Sequence, residues 1–375
     1  MNKQTALIFS SNAFLSNSDK ILDIFSKIPI VVISHDQAKL YRIANRYNNY
    51  ANINICSRQN IRSVIERNEP QFNHIMIGTS TSDMRIAAPK KMVLINPKWI
   101  SNIAPEVNKY GIPIYDIENL SNYVSIFERS ANWFEEITVS QNAVVRALTS
   151  AKTYYSSYYK GEELDLINAF RALLKNGDNA SAKNNISYFD VLYYYLSAMI
   201  AKDSNMHTIQ DWAIFPSSGC NLNPEMNAFK ERVRYLMNGR KSDNIFIRHT
   251  AIEKSHLLSY EDRLSCDRHL SSIHINPVYR GKLSGRIVCV LDDYLTNGTS
   301  FETARNLLQH ENVKFIYFIA LGSFEKKYIK QDYLLKGDLY SQKYAYEKLE
   351  SNEIIPTINA DATSMIRELN AIINK

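Results

Sequence analysis

Glycine and proline are scarce in this chain, 11 and 10 among 375 residues, which argues against a disordered or low-complexity polypeptide. The four cysteines, Cys56, Cys220, Cys266 and Cys289, are scattered without C-x-x-C spacing. That pattern suits free thiols in a reducing compartment rather than a disulfide framework. No apolar run reaches the roughly 18–20 residues that span a bilayer, and Leu7-Ile8-Phe9 is too short for the hydrophobic region of a signal peptide. A cytoplasmic protein with no membrane partner is expected. Apolar content of 45% and charged content of 22% are ordinary for a globular chain, and the length suits about two domains.

The net charge of +6 is concentrated. Between Glu225 and Arg286 twelve Lys or Arg face seven Asp or Glu, a basic segment fit for an anionic small molecule, a nucleotide or a nucleic acid. Tyrosine is abundant at 24, with several between Tyr154 and Tyr195. Residues Tyr188 to Ala201 place apolar side chains at helical spacing, which reads as a core helix whose tyrosines pack.

Residues 1–130 alternate strands and helices. The strands are Thr5–Phe9, Ile30–Ile33, Ile53–Ile55, His74–Ile77, Met92–Ile95 and Ile112–Tyr115, and helices span Asp19–Ile28, Ala38–Tyr47 and Ile61–Arg67. This alternation predicts an open α/β sheet. Ser10 and Asn12 follow the first strand, Ser34 ends the second, and Gly78-Thr79-Ser80-Thr81-Ser82-Asp83 follows a later one. That series resembles the haloacid dehalogenase (HAD) phosphohydrolases, in which Asp-x-Asp stands where Ser10 and Asn12 stand here. The resemblance implies a HAD-like, Rossmannoid sheet. With no carboxylate nucleophile and too few acids for magnesium, it implies no phosphatase activity. A generic flavodoxin-like sheet with a role in assembly or partner contact is the plainer reading.

Helical spacing over Leu120–Glu136 and Gln141–Ala151 predicts a helical connector, residues 131–155, leading to a second domain over 156–325. Residues 326–375 are expected to be helical, bracing the domains or forming a homo-oligomer contact.

The centre of the second domain is Arg286 to Ser300. Ile287–Leu291 is a buried strand of a parallel sheet. Asp292 and Asp293 follow at once, then Thr296-Asn297-Gly298-Thr299-Ser300, then a helix over Phe301–His310. A turn rich in N–H and hydroxyl donors at a helix N-terminus is an anion site. The acids accept from sugar hydroxyls or hold magnesium through water. A phosphorylated ribose satisfies both halves. The stretch resembles the 5-phosphoribosyl 1-pyrophosphate (PRPP) signature of type I phosphoribosyltransferases, with Asn297 where a second Thr is common.

That resemblance extends through the domain. Tyr159-Lys160-Gly161 and Leu174-Lys175 are similar to the entry of the competence-associated, ComF-like branch. Trp212–Phe215 is a strand running into Pro216-Ser217-Ser218-Gly219, where the family binds pyrophosphate. Small side chains, two hydroxyls and a permissive glycine suit that task. Asn244–Ile247 is the next strand and Lys314–Leu321 a later one inside the sheet. From Arg248 through Lys254, His256 and Arg263 the family carries a mobile basic loop, so the resemblance implies cations closing over the leaving pyrophosphate. His249, His256, His269, His274 and Cys266 match no compact zinc spacing.

The expectation is therefore an α/β enzyme using PRPP and magnesium. Asp292, Asp293, Arg248 and Lys254 are catalytic; Thr296–Ser300 and Pro216–Gly219 bind substrate; Asp292 and Asp293 hold the metal. No residue fixes the acceptor. The alternative is an effector or scaffold, similar to accessory proteins of tellurium-resistance and retron defence loci, acting on nucleotides or nucleic acid. A salvage enzyme for one nucleobase is a third reading, against which the poor match of the acceptor region argues.

Overall fold

The computed structural model describes residues 3–154, 158–179, 186–253 and 257–374, and its fold is α/β. Six strands, β1 (Gln4–Ser10), β2 (Ile30–Ser34), β3 (Ile53–Ser57), β4 (Phe72–Ile77), β5 (Val93–Pro97) and β6 (Ile112–Ile114), form one parallel sheet. Their order is β3-β2-β1-β4-β5-β6, which reverses between β1 and β4 and leaves a crevice at their carboxyl ends. Helices α1 (Ser11–Leu15), α2 (Ser18–Ile24), α3 (Gln37–Arg46), α4 (Ile61–Asn68), α5 (Thr81–Ala87), α6 (Pro105–Tyr110) and α7 (Ile117–Arg129) cover it. The strand period of two sorts the core. Leu7 and Phe9 join one layer with Phe14, Ile21 and Leu120, while Ile8 joins another with Ile61, Ile86 and Val107. The strands expected within residues 1–130 are present, with small shifts at their ends.

The second sheet is mixed. Antiparallel β7 (Glu135–Ser140) and β8 (Ala143–Ser150) open it, followed in the chain by α8 (Glu162–Asn176) and α9 (Tyr188–Lys202). Then come β9 (Asp211–Ile214), α10 (Pro224–Leu236), β10 (Phe246–Arg248), α11 (Tyr260–Leu264), α12 (Asp267–Leu270), β11 (Ile273–Ile275) and β12 (Ile287–Leu295). The chain finishes with α13 (Thr299–His310), β13 (Phe315–Ser323), β14 (Tyr328–Lys336), β15 (Ala345–Ile354), β16 (Thr357–Ile358) and α14 (Ser364–Asn374). The sheet order is β16-β7-β8-β13-β12-β9, with β8, β13, β12 and β9 parallel.

One helix is common to both sheets. From Phe189 to Ile200 every residue of α9 is buried, as expected for a helix apolar all round. Its residues share one continuous core with Ile75 and Ile95 of the first sheet and Trp212, Leu291 and Ile319 of the second. Its tyrosines pack: the Tyr194 hydroxyl donates to the Pro113 carbonyl, and Tyr123 and Ser197 hydroxyls meet at 3.1 Å.

Three expectations require correction. Gln141–Ala151 is not helical: Ala143–Ser150 is β8, because its apolar run finds a parallel partner in β13. The described part of the connector expected over 131–155 is therefore the β7–β8 pair with irregular ends rather than helix. Residues 326–375 are mainly the β14–β15 hairpin, and only α14 is a long helix among their described residues. The hairpin is tied to α13 through a buried charge network. Glu302 accepts from Arg305 Nε at 3.0 Å, the Tyr328 hydroxyl at 2.7 Å and Gln331 N at 2.7 Å, while Arg305 Nη2 reaches Asp332 at 2.8 Å. The strand expected at Asn244–Ile247 is β10, which pairs antiparallel with β11 outside the main sheet.

Candidate functional site

The four parallel strands of the mixed sheet end along one edge, where open α/β sheets bind ligands. Strand β12 carries Asp292 and Asp293 on its last residues, further along than a strand ending at Leu291. Phe215 N donates to the Leu291 carbonyl at 2.9 Å, so Pro216 begins beside Asp292. The structure thus brings the Pro216–Gly219 loop and the acid pair to neighbouring strand ends.

The turn after the acids is tight. Gly298 has φ +85°, and a Cβ there would stand 2.2 Å from the Tyr328 ring, so only glycine fits. The first N–H groups of α13 have no intrahelical acceptor. The side chains of the turn divide. Asn297 Nδ2 donates to the Lys327 carbonyl at 3.0 Å and Thr299 Oγ1 to the Arg263 carbonyl at 3.0 Å, so both are structural. Thr296 is exposed, and Ser300 donates to Asp292. The donors this turn offers a ligand are backbone N–H groups with the Thr296 hydroxyl.

Arg248 does not face the site's opening. It is buried under the loop, with Nε donating to the Ser217 carbonyl at 2.5 Å and Nη2 to the Pro216 carbonyl at 3.2 Å. Its remaining donors reach Ser272 Oγ and, at 3.0 Å, His269 Nδ1. Burial, helped by the charges of Arg268 and Arg248, holds His269 well below its ordinary range, so it is a neutral acceptor. Burial and then Arg268 lower Arg248 to about 10. Arg248 therefore positions the loop. The Ser218 carbonyl accepts from Ile252 N at 2.9 Å and Ser217 Oγ donates to the Asn221 carbonyl at 3.0 Å, while Gly219 has open space about it. Lys254 and His256 lie outside the described residues.

The acids interact closely. Asp292 Oδ1 accepts from Asp293 N at 2.9 Å, and Asp293 Oδ1 accepts from Tyr294 N at 2.7 Å. The other oxygen of Asp293 is ion-paired with Lys175, at the end of α8. Burial, then the adjacent Asp293 charge, pushes the Asp292 carboxyl upward, and Lys175 opposes that rise. Three of the pair's four oxygens are thus engaged within the protein, so a magnesium ion here would draw most of its six oxygens from water or substrate. Among the described residues no group of three or more His, Cys, Asp or Glu is arranged to hold a metal. His249 and His274 are neighbours, with rings 5.4 Å apart, and no third ligand joins them among the described residues.

Sequence reasoning left several residues of this edge unassigned. In the sequence Lys175 stands out only within the Leu174-Lys175 match, with no role attached. Ser150 Oγ and Lys152 Nζ both donate to Glu325, at 2.5 and 2.6 Å, and Ser323 donates to buried Glu135. Burial pushes Glu135 up to about 7, against the Ser323 hydrogen bond. The register of β8 beside β13 brings these groups together, and no local spacing reveals it. Tyr159 is buried, its hydroxyl 3.1 Å from Thr149 Oγ1, and so ties the entry of α8 to β8.

The strand ends of the first sheet differ. Asp83 is fully buried; its Oδ2 accepts from Thr79 N at 2.8 Å, Ser80 N at 2.9 Å and Ser80 Oγ at 2.9 Å, and its Oδ1 pairs with Arg58. It completes a capping box on α5. Asn12 Oδ1 accepts from Lys39 Nζ at 2.5 Å, Ser34 Oγ from Asp36 N at 3.1 Å, and Ser10 and Thr79 hydroxyls lie 3.4 Å apart.

Half of the twelve cations of the basic segment 225–286 pair with carboxylates, most of them outside the segment. Lys230 and Arg234 pair with Glu231, Arg232 with Asp190, Lys241 and Arg286 with Asp211, and Arg280 with Asp338. Among the described residues no helix is long and apolar enough to cross a membrane. No protein-family model matches the chain, and neither a curated protein nor a solved structure matches it.

Proposed function

We propose that the chain is a phosphoribosyltransferase-type protein of the reducing cytoplasm that binds PRPP at the strand ends of the mixed sheet and transfers or releases its ribose 5-phosphate. The observation that carries this reading is placement: Pro216–Gly219 begins beside Asp292, and the acids run directly into the Thr296–Ser300 turn. A diphosphate loop, hydroxyl acceptors and a phosphate-binding helix start then follow the order of groups along PRPP. As the bond from C1 to the diphosphate oxygen breaks, its electron pair leaves with pyrophosphate and positive charge develops on the ribose. Carboxylates at the 2- and 3-hydroxyls stabilise that charge, and the loop N–H groups receive the negative charge of the leaving group. An acceptor lone pair closes the new bond at C1, and the acceptor gives up a proton. Magnesium belongs to this reading as the counter-ion of the diphosphate, carried in with the substrate.

The parallel sheet is read here as a HAD-like half serving assembly or partner contact. Asp83, the one acid retained there from the family pattern, is consumed by a helix cap and by Arg58, which favours that role. An effector or scaffold role for the whole chain is the second reading. The pairing of half of the basic segment's cations with carboxylates leaves fewer of them to a nucleic acid. The test is a melting series with magnesium–PRPP together with an assay of released pyrophosphate. A raised melting temperature, with pyrophosphate appearing once an acceptor or water is used, is expected. No shift at millimolar PRPP contradicts the proposal.

A further inference from the structure

We propose that Lys175 is the built-in cation of the acid pair: its ammonium stands on Asp293 where a divalent ion would be needed, so that a 5-phosphorylated ribose binds without a protein-held metal. This rests on the phosphoribose reading of the site and names a positioning residue within it.

Lys175 is placed by the fold. Leu173 and Leu174 bury the last turn of α8, and Gly177, at φ +70°, ends it with its N–H on the Leu173 carbonyl at 2.9 Å. Asn223 Nδ2 donates to the Leu174 carbonyl at 3.0 Å, which ties this helix end to the start of α10, just past the Pro216–Gly219 loop. The ammonium reaches Asp293 and lies 5.3 Å from the centre of the Tyr294 ring. Tyr294 in turn fills the space over Gly322, where a Cβ would meet its ring at 2.8 Å.

Three of the pair's four oxygens are already engaged. One Asp293 oxygen accepts from Tyr294 N and the other holds Lys175, while Asp292 Oδ1 accepts from Asp293 N. A second cation at the same oxygen is repelled by the ammonium. An ammonium has three donors. With one on Asp293, the others are free to meet a ribose hydroxyl or phosphate oxygen. Lys175 is 50% exposed and Asp293 17%, so the ion pair adds little to stability. Its effect belongs to ligand and metal binding.

Ribose 5-phosphate lacks the diphosphate that would carry magnesium in, and it therefore separates the two sources of charge. Calorimetric titration into the full chain, Lys175→Met and Lys175→Arg, each with chelator and with millimolar magnesium, tests the proposal. The unaltered chain should bind equally well in both conditions. Lys175→Met should lose about tenfold or more in chelator and recover in magnesium, with Lys175→Arg close to the parent. Magnesium alone should bind Lys175→Met and not the parent, a gain that a merely structural lysine would not produce. Melting temperatures within about 2 °C of one another would show that the variants fold. Binding by the parent only with magnesium, or a Lys175→Met chain unaffected in chelator, overturns the inference alone. No binding by the parent in either condition overturns the phosphoribose reading and the inference with it.

Discussion

Two sets of parallel strand ends in this molecule carry acids, and they treat them in opposite ways. In the first sheet Asp83 is buried, with three donors on one oxygen and Arg58 on the other. In the mixed sheet Asp292 and Asp293 sit side by side at partly exposed positions, and the charge of one works against that of its neighbour. A carboxylate satisfied on every side is part of the scaffold. A pair left in mutual repulsion, beside a loop of backbone donors, holds free energy that a ligand can release. The difference assigns structure to one edge and chemistry to the other.

The comparison can be broken most forcefully at Asp83. Asp83→Ala leaves Arg58 without its buried partner and uncaps α5, and should cost about 3–5 kcal/mol in urea unfolding. It should leave PRPP affinity unchanged, provided the variant is titrated below its shortened melting range. A small stability loss, or a loss of PRPP binding in folded protein, would give the first edge a role it is denied here.

Next comes the pH response of the mixed-sheet edge. In the fold Glu135 titrates near about 7 instead of its ordinary 4.5, so between these values the native state holds the extra proton. Stability from this group is complete below about pH 4.5 and is lost as pH rises through 7. Asp292, also raised, adds to the same decline. Glu135→Gln should remove on the order of 2–3 kcal/mol of it, measured as unfolding free energy across pH 4.5 to 8. An unchanged pH profile would mean the carboxyl is not buried as a neutral acid.

The smallest expected effect on stability is at the acid pair. Asp292→Asn with Asp293→Asn removes a repulsion and a raised carboxyl as well as a salt bridge, so unfolding free energy should fall by less than about 1 kcal/mol. A loss comparable to that of Asp83→Ala would make the two edges alike and the contrast void.

The sequence displayed some of this and hid the rest for identifiable reasons. Strands β1 to β6 are legible because each is a short apolar run between turn residues. The stretch from Ile287 to His310 is legible because strand, acids, glycine turn and helix are contiguous. Ala143–Ser150 misleads, since Ala-Val-Val-Arg-Ala-Leu carries no decisive period and only pairing with β13 makes it a strand. In β14 Tyr328, Ile329, Gln331, Tyr333 and Leu335 are buried between half-buried Lys330 and Asp332 and exposed Leu334 and Lys336, a pattern whose meaning depends on α13 beneath it. Lys175 reads locally as a cation complementing a helix C-terminus. Its partner is Asp293, far along the chain, and no spacing links them. Arg248 was legible as a cation near the loop, but not as one facing inward.

The central claim, that the acid pair of the mixed sheet receives phosphoribose, is tested most directly by calorimetric titration of magnesium–PRPP. The parent chain, Asp83→Ala, and the double variant Asp292→Asn with Asp293→Asn would be compared at one pH and salt concentration. Saturable binding by the parent and Asp83→Ala, with a loss of about tenfold or more in the double variant, is the predicted result. Undiminished binding by the double variant, or no binding by the parent, would contradict the account.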